Sequence, residues 1–185
     1  MANVLLAVQA LAVPATGVAS SISARVVGVI GGDAITVVDA ANTQYAVRLA
    51  GIDAPQSGQE FGDRSKQHLT NLVLHKEVRV DRHGHDPHGR LVGTVWTVPP
   101  DSPCQEPGCP KTLDVGLAQI SVGLAWRCKA CETGQSEQDR QRYDFAEQEA
   151  RARKVGIWSS PDPVAPSDRP RSNPPDDADR ESRVP

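Results

Sequence analysis

Asp33 follows a glycine pair, Arg48 comes a short run later, and Asp53 stands in the stretch Gly51-Ile52-Asp53-Ala54-Pro55. Two carboxylates, a main-chain carbonyl and water are what a hard divalent cation such as Ca2+ takes, while a nearby guanidinium can fork onto a phosphate through two parallel hydrogen bonds. The chemistry open to this trio is the handling of a phosphate group beside a cation. Taken singly, an Asp next to Gly is an ordinary turn residue. The set acquires meaning only if the fold brings these separated positions to one rim.

The surrounding runs are those of a β protein. RVVGVI and DAITVVDA, joined at Gly31-Gly32, read as two short strands rich in Val, Ile and Thr, and QYAVRLAGI follows Asn42-Thr43 as a third. EVRVDRH and LVGTVWTV flank GHDPHGR, whose glycines and proline mark a turn. Five strands with little helix among the first three predict a small closed or partly open barrel rather than a parallel α/β sheet. Asp33 and Asp53 then fall near strand ends, with Arg48 on the third strand.

Three helices are expected around this barrel. Phe61, Leu69, Leu72 and Val73 share one side of a helix over Glu60 to Leu74, with Asp63, Lys66 and Gln67 facing out. A second runs from about Thr112 to Val122, with Thr112 as N-cap, Gly123 at the stop, and Leu113, Leu117, Ile120 and Leu124 as its packing stripe. A third opens at Ser136 with Asp139 three residues on, carries Glu147-Arg151 and Glu149-Arg153 pairs and ends at Gly156, after which Ile157-Trp158 folds back onto the core.

A length of 185 residues suits one well-buried domain. Net charge is -3 and aromatic content 4%, so nothing in the bulk composition marks a nucleic-acid binder and any polyanion site must be local. The first 24 residues are apolar and small, and Leu5 to Val13 reads as the hydrophobic region of a secretory signal with cleavage after Ala19 or Ala24, although no Lys or Arg precedes Arg25. That run is too short and too interrupted by proline to span a bilayer. Residues 161–185 hold seven of the fifteen prolines and read as a disordered tail. The folded part is therefore 25–160, with an insertion at about 99–111.

VVGVIGGDAITV, YAVRLAGIDAP, GQEFG, DPHGR, LAQISVGLAW and FAEQEARARKVGIW follow one another in this chain as the motifs of the staphylococcal nuclease (thermonuclease) family do. The chain resembles that family over about residues 25 to 160. The resemblance implies a mixed β/α fold, a five-stranded OB barrel with three helices, that hydrolyses phosphodiester bonds of DNA and RNA with Ca2+. It implies Asp33, Asp53 and the Ala54 carbonyl as metal ligands, and Arg48 and Arg90 as the arginines that neutralise charge growing on the phosphate oxygens. Lys would serve less well there, lacking the planar fork.

This chain departs from the family in ways that bear on activity. Gln56 stands where the family places its general base, a Glu, and a neutral amide cannot take a proton from water. Glu60, four residues on, is the one nearby carboxylate that could replace it. Gly31 and Ala34 replace an Asp and a Thr, removing oxygens near the metal, and His88 stands where Tyr is usual in the DPHGR segment.

His83, His85, Asp86 and His88 could converge on a transition metal or form a solvated hairpin tip. Cys104, Cys109, Cys128 and Cys131 admit either a structural Zn2+ site or disulfides, and export to a secreted or periplasmic location would favour disulfides.

Two readings follow. The first is a monomeric Ca2+-dependent endonuclease acting on single-stranded or locally opened DNA and RNA. The second is a noncatalytic OB module that binds nucleic acid or protein. Gln56 favours the second; Asp33, Arg48, Asp53 and Arg90 together favour the first.

Overall fold

The first strand alternates as expected: Ala24 and Val26 point into a core while their neighbours meet solvent. This computed structural model describes residues 20–165. The apolar segment Leu5 to Val13 and all but the first residues of the tail lie outside the described residues.

Among the described residues eight strands and three α-helices follow in order. They are β1 (Ser21–Val29), β2 (Ala34–Asp39), β3 (Gln44–Leu49), the short β4 (Ile52–Asp53), α1 (Gly62–Val73), β5 (Glu77–His85), β6 (Leu91–Thr97), the short β7 (Leu113–Asp114), α2 (Val115–Ser121), the short β8 (Trp126–Arg127) and α3 (Glu137–Ala152). The five long strands run β3-β2-β1-β5-β6. β3 and β6 then pair in parallel, Val47 opposite Leu91 and Arg48 opposite Val92, and this pairing closes the barrel. A closed five-stranded barrel of this strand order is an OB fold, as the sequence predicts.

Val26, Ile35, Val37, Val47, Leu49, Val78, Val80 and Val95 fill the barrel, and Leu69 and Val73 of α1, with Ile120 of α2, pack against them. Burying each such aliphatic side chain is worth about 1.5–3 kcal/mol, which makes the barrel a rigid platform for whatever its rim carries.

The helices depart from expectation at their ends. α1 begins at Gly62, not Glu60, because Phe61 takes a left-handed conformation (φ 64) that cannot continue a helix. α2 is shorter than expected: β6 pairs with Leu113–Asp114, and Asp114, not Thr112, caps the helix by accepting a hydrogen bond from the Leu117 N–H. Ser136 caps α3 through the Asp139 N–H, as its sequence predicts. That helix ends at Ala152, short of Gly156. The Glu147-Arg151 ion pair forms at 3.1 Å. Arg153 Nε donates instead, at 3.4 Å, to the Glu149 main-chain carbonyl, which also accepts the Arg153 N–H. Ile157 is buried and the Trp158 ring meets Trp126 edge-on at 6.2 Å, so this segment does fold back.

The Tyr143 hydroxyl donates its one proton between the two Asp114 carboxylate oxygens, at 2.9 and 3.0 Å, tying α3 to the start of α2. Burial pushes the Asp114 carboxyl above its usual range, against hydrogen bonds from Leu117 and Tyr143 that pull it down. A raised folded-state pKa means that this group's contribution to stability is fully present below pH 3.8 and is lost as pH climbs through the folded value. Once ionised, Asp114 is a buried charge that leans on Tyr143. Tyr143→Phe should therefore cost about 1–3 kcal/mol by chemical denaturation where Asp114 is ionised, and less on acidification, since a protonated Asp114 loses less with the hydroxyl.

Candidate functional site

Asp33 closes the turn before β2. Ala34 lies opposite Arg48 in the β2–β3 register, and Leu49 N–H donates to the Asp33 carbonyl, so the hairpin itself brings Asp33 beside Arg48. The chain then turns at Gly51, whose φ of 72° favours glycine, and β4 presents Asp53 to the same spot. Arg48 spans the two carboxylates: Nη1 lies 3.4 Å from Asp33 Oδ2, and Nη2 lies 3.6 Å from Asp53 Oδ1. Nη2 also donates to the Ile52 carbonyl and to Cys131 Sγ, each at 3.3 Å.

Arg90 arrives by a different route. It precedes β6, and the parallel β3–β6 pairing that closes the barrel sets it next to Arg48. Asp86 organises its turn, accepting from the His88 and Arg90 N–H groups through Oδ1 and from Arg90 Nε through Oδ2 at 2.7 Å. Burial raises the Asp86 carboxyl, but those hydrogen bonds together hold it below its usual range, so it stays ionised as the anchor of Arg90. The two arginines share a cleft of about 330 Å³ with His83, His85, Asp86 and His88 on one side and Ala130 and Cys131 on the other.

Both rim carboxylates are buried, Asp33 at 5% and Asp53 at 6% exposure. Burial pushes the Asp33 carboxyl up; Arg48 opposes this, the Asp53 charge adds to it, and Arg90 and the Ala54 N–H oppose it, for a net rise. Asp33 Oδ2 accepts no hydrogen bond, although Arg48 lies near it. Two buried carboxylates share the guanidinium of Arg48, and Asp33 Oδ2 has that ion pair but no hydrogen bond, a setting in which a hard cation would add charge compensation. Two carboxylates and a main-chain carbonyl are oxygen donors, the type a hard cation takes; among the described residues no group of three or more His, Cys, Asp or Glu side chains is placed to hold a metal ion by itself.

Ala54 lies beside this pair and its carbonyl accepts from the Gln56 side-chain amide at 3.0 Å. Gln56 is exposed, and its N–H is held by the Gln59 side chain at 2.8 Å. Glu60 is turned away: its carboxylate accepts from Ser160 Oγ at 3.3 Å and lines a separate crevice with Phe61 and Trp126. The structure thus brings together Asp33, Arg48, Asp53, Ala54 and Arg90, sets Gln56 on the Ala54 carbonyl, and leaves Glu60 out.

The zinc alternatives fall. Cys104 pairs with Cys109 and Cys128 with Cys131, leaving no free cysteine among the described residues, because each pair is close in sequence and a bond within each loop needs no rearrangement of α2 between them. His83 bonds Thr94 Oγ1 at 2.9 Å, and its pKa is lowered by burial; the hairpin is a cleft wall, not a metal centre.

Two supporting residues escaped sequence reasoning. Gln119 is fully buried, and its amide donates to the Gly32 carbonyl at 2.6 Å and to Ser65, while Ser65 Oγ donates to the Leu124 carbonyl at 2.7 Å. They hold the Asp33 turn from behind. A Cβ on Gly32 would meet Ser65 Oγ at 1.9 Å and the Ala54 side chain at 2.7 Å, so only glycine lets this turn approach α1 so closely. The signal was a polar residue, Gln119, next to Ile120 in a helix that is apolar up to it.

A small OB barrel flanked by helices, with paired buried carboxylates and two guanidiniums on one rim, defines a class of barrel proteins equipped to meet a polyanion. The family model described as staphylococcal nuclease homologue matches residues 46–160. The chain is 37% identical over 143 residues to a protein named micrococcal nuclease from Shigella flexneri, covering 77% of this chain and 76% of the relative. It is 36% identical over 162 residues to Protein ParB of Escherichia coli, covering 87% and 84%. An uncharacterized endonuclease from Haemophilus influenzae is 33% identical over 143 residues, covering 77% and 70%. This chain belongs to the staphylococcal nuclease family.

Proposed function

We propose that the protein is a nuclease that hydrolyses phosphodiester bonds in DNA and RNA with Ca2+, slowed by the amide at position 56. The observation that carries the reading is the joint placement of two buried carboxylates, one oxygen without a hydrogen-bond partner, beside two arginines fixed by the barrel's closure. A module that only binds has no need of such a costly buried pair. Relatives named as nucleases support it.

In this reading Asp33, Asp53 and the Ala54 carbonyl hold the cation, which supplies Lewis-acid polarisation of the scissile phosphate. Arg48 and Arg90 clamp the phosphate oxygens and neutralise the charge that grows on them. Asp86 orients Arg90, leaving the two terminal nitrogens of its guanidinium to face the phosphate. Gln56 positions water by hydrogen bonding without taking its proton. The narrow cleft suits a single strand or a locally opened duplex entering as a monomer's substrate. Disulfides support a secreted or periplasmic location. Cleavage of a leader after Ala19 would leave β1 whole, whereas cleavage after Ala24 would remove its first residues. No helix of the described residues is long and apolar enough to cross a membrane.

The test is digestion of denatured, labelled DNA with Ca2+ or EDTA: calcium-dependent cleavage is expected, and a protein that binds the DNA without cutting it at any calcium concentration would leave the binding module as the better reading. Calcium affinity should fall on acidification, earlier than for ordinary carboxylates, because Asp33 must be ionised to hold the ion and takes its proton at a raised pH. Gly31→Asp should tighten it. A Cβ at Gly31 meets only Asp33 Oδ1, at an ordinary 3.7 Å, so a third carboxylate has room. Calorimetry should show an increase of about tenfold, the effect of some 1.4 kcal/mol of added attraction; an unchanged affinity would mean that the ion sits elsewhere.

A further inference from the structure

We propose that Cys131, fixed by its disulfide to Cys128, is a positioning residue for Arg48 and for the strand that carries Asp53, so that the oxidation state of this pair sets the turnover of the rim. The inference rests on the nuclease reading.

Three sets of contacts support it. Arg48 Nη2 donates to Cys131 Sγ at 3.3 Å, on the side of the guanidinium that also faces Asp53. Gly51 N–H donates to the Cys131 carbonyl at 2.8 Å, and Cys128 N–H donates back to the Gly51 carbonyl at 2.9 Å, so the crosslinked loop and the turn between β3 and β4 hold one another. Immediately before the loop, β8 pairs with β4, Ile52 opposite Arg127 and Asp53 opposite Trp126.

The loop has other ties as well: Glu132 pairs with Arg127 at 2.6 Å and with Arg140 at 3.7 Å, and Arg140 donates to the Gln135 carbonyl at 3.1 Å. These bind its later residues to β8 and α3, whereas the crosslink and the Gly51 bonds hold Cys131 itself, which passes that geometry to Arg48. Ala130 and Cys131 also wall the cleft that holds both arginines.

A dithiol reduces the pair by thiolate exchange: the Cys128–Cys131 bond takes up two electrons and two protons to give two thiols, and the dithiol becomes its cyclic disulfide. The loop then relaxes and Arg48 loses one of its fixed contacts. A nuclease made inside a cell threatens that cell's own nucleic acid. This arrangement keeps its activity low until the chain reaches an oxidising compartment.

The experiment uses the full chain carrying Cys104→Ser and Cys109→Ser, so that Cys128–Cys131 is the disulfide that responds. The Cys104–Cys109 crosslink lies in the loop between β6 and β7 and lines no part of the arginine cleft, so this background should keep kcat within about twofold of the parent. Graded dithiothreitol should then lower kcat by about tenfold or more with KM within about threefold, and diamide should restore it, since a misplaced guanidinium costs transition-state rather than ground-state binding. Cys131→Ser should show the same low kcat and no response to dithiol.

A second readout needs no substrate. The Arg48 side-chain 15N–1H signals should be sharp in the oxidised protein and broaden on reduction while the core methyl spectrum stays unchanged. A reduced protein with full kcat, or Arg48 signals indifferent to reduction, would overturn the proposal. If every form proves inert toward DNA, the nuclease reading fails and the Arg48 signals still decide this one.

Discussion

Gln56→Glu should raise calcium-dependent cleavage of single-stranded DNA by about 10²-fold, since a positioned general base typically contributes about 10²- to 10⁴-fold. The main chain at this position is already fixed: Gln56 N–H is held by the Gln59 side chain, and its carbonyl accepts from Gln59 N–H at 3.0 Å. The side chain is exposed, so a carboxylate there bears no desolvation penalty. The present amide donates to the Ala54 carbonyl, the proposed third ligand of the ion, and so presents the positive end of its dipole where a cation must come. Glutamate cannot make that bond. It would leave the carbonyl to the ion and turn its oxygens toward the attacking water, so both changes act in the same direction.

The pH profile separates this gain from a nonspecific one. At saturating calcium the variant should acquire a further acid limb set by the new carboxylate, beside the loss of calcium through Asp33 that both proteins share. Gln56→Ala should lie at or below the parent rate, because it removes even the hydrogen bond that positions water. A Gln56→Glu protein no faster than its parent would mean that the rim is not built for hydrolysis, and the binding module would then stand. Glu60→Gln should leave both rates unchanged, since its carboxylate faces Ser160 and a separate crevice.

The strand pattern was legible because a barrel wall repeats every second residue and its core side is filled by Val, Ile and Leu. The nearness of Asp33 to Arg48 was legible too, since a hairpin is a local structure whose register follows from its turn. Arg90 was less so from spacing alone. It reaches Arg48 through a parallel strand pairing distant in sequence, and only the resemblance to a known family pointed there.

What stayed hidden depended on contacts with no local signature. Leu113–Asp114 pairs with β6 instead of opening α2, because a neighbouring strand edge competed with a helix cap. Thr112 and Asp114 can both cap; the sheet decided between them. Gln119 and Ser65 act on the Asp33 turn through side chains that point into the fold, where helical periodicity predicts only apolar residues. Cys131 and Arg48 are 83 positions apart, and spacing among the four cysteines says nothing about a guanidinium.

Arg90→Lys should lower kcat by about 10²-fold or more while leaving calcium affinity within about threefold, the scale seen when one preorganised donor to a developing oxyanion is removed. Lysine is the more informative change than alanine because it separates geometry from charge. The positive charge of Arg90 helps hold the Asp33 carboxyl down, so Arg90→Ala would also raise the pH at which Asp33 takes a proton and weaken the ion's site. Lysine keeps that charge near the rim but loses the fork. In the present structure Nε of Arg90 is spent on Asp86 Oδ2, and the two terminal nitrogens remain for two phosphate oxygens at once. An ammonium on a flexible stem must choose between Asp86 and the phosphate. Asp86→Asn should accordingly reproduce part of the loss, since its amide oxygen can keep both main-chain hydrogen bonds of the turn but its NH2 cannot accept from Arg90 Nε, and the charge that anchors the guanidinium is gone. Initial rates with saturating calcium, beside calorimetric calcium titrations, would test this. A Lys variant that keeps full kcat would show that Arg90 acts only through its charge, and the bidentate clamp would have to be abandoned.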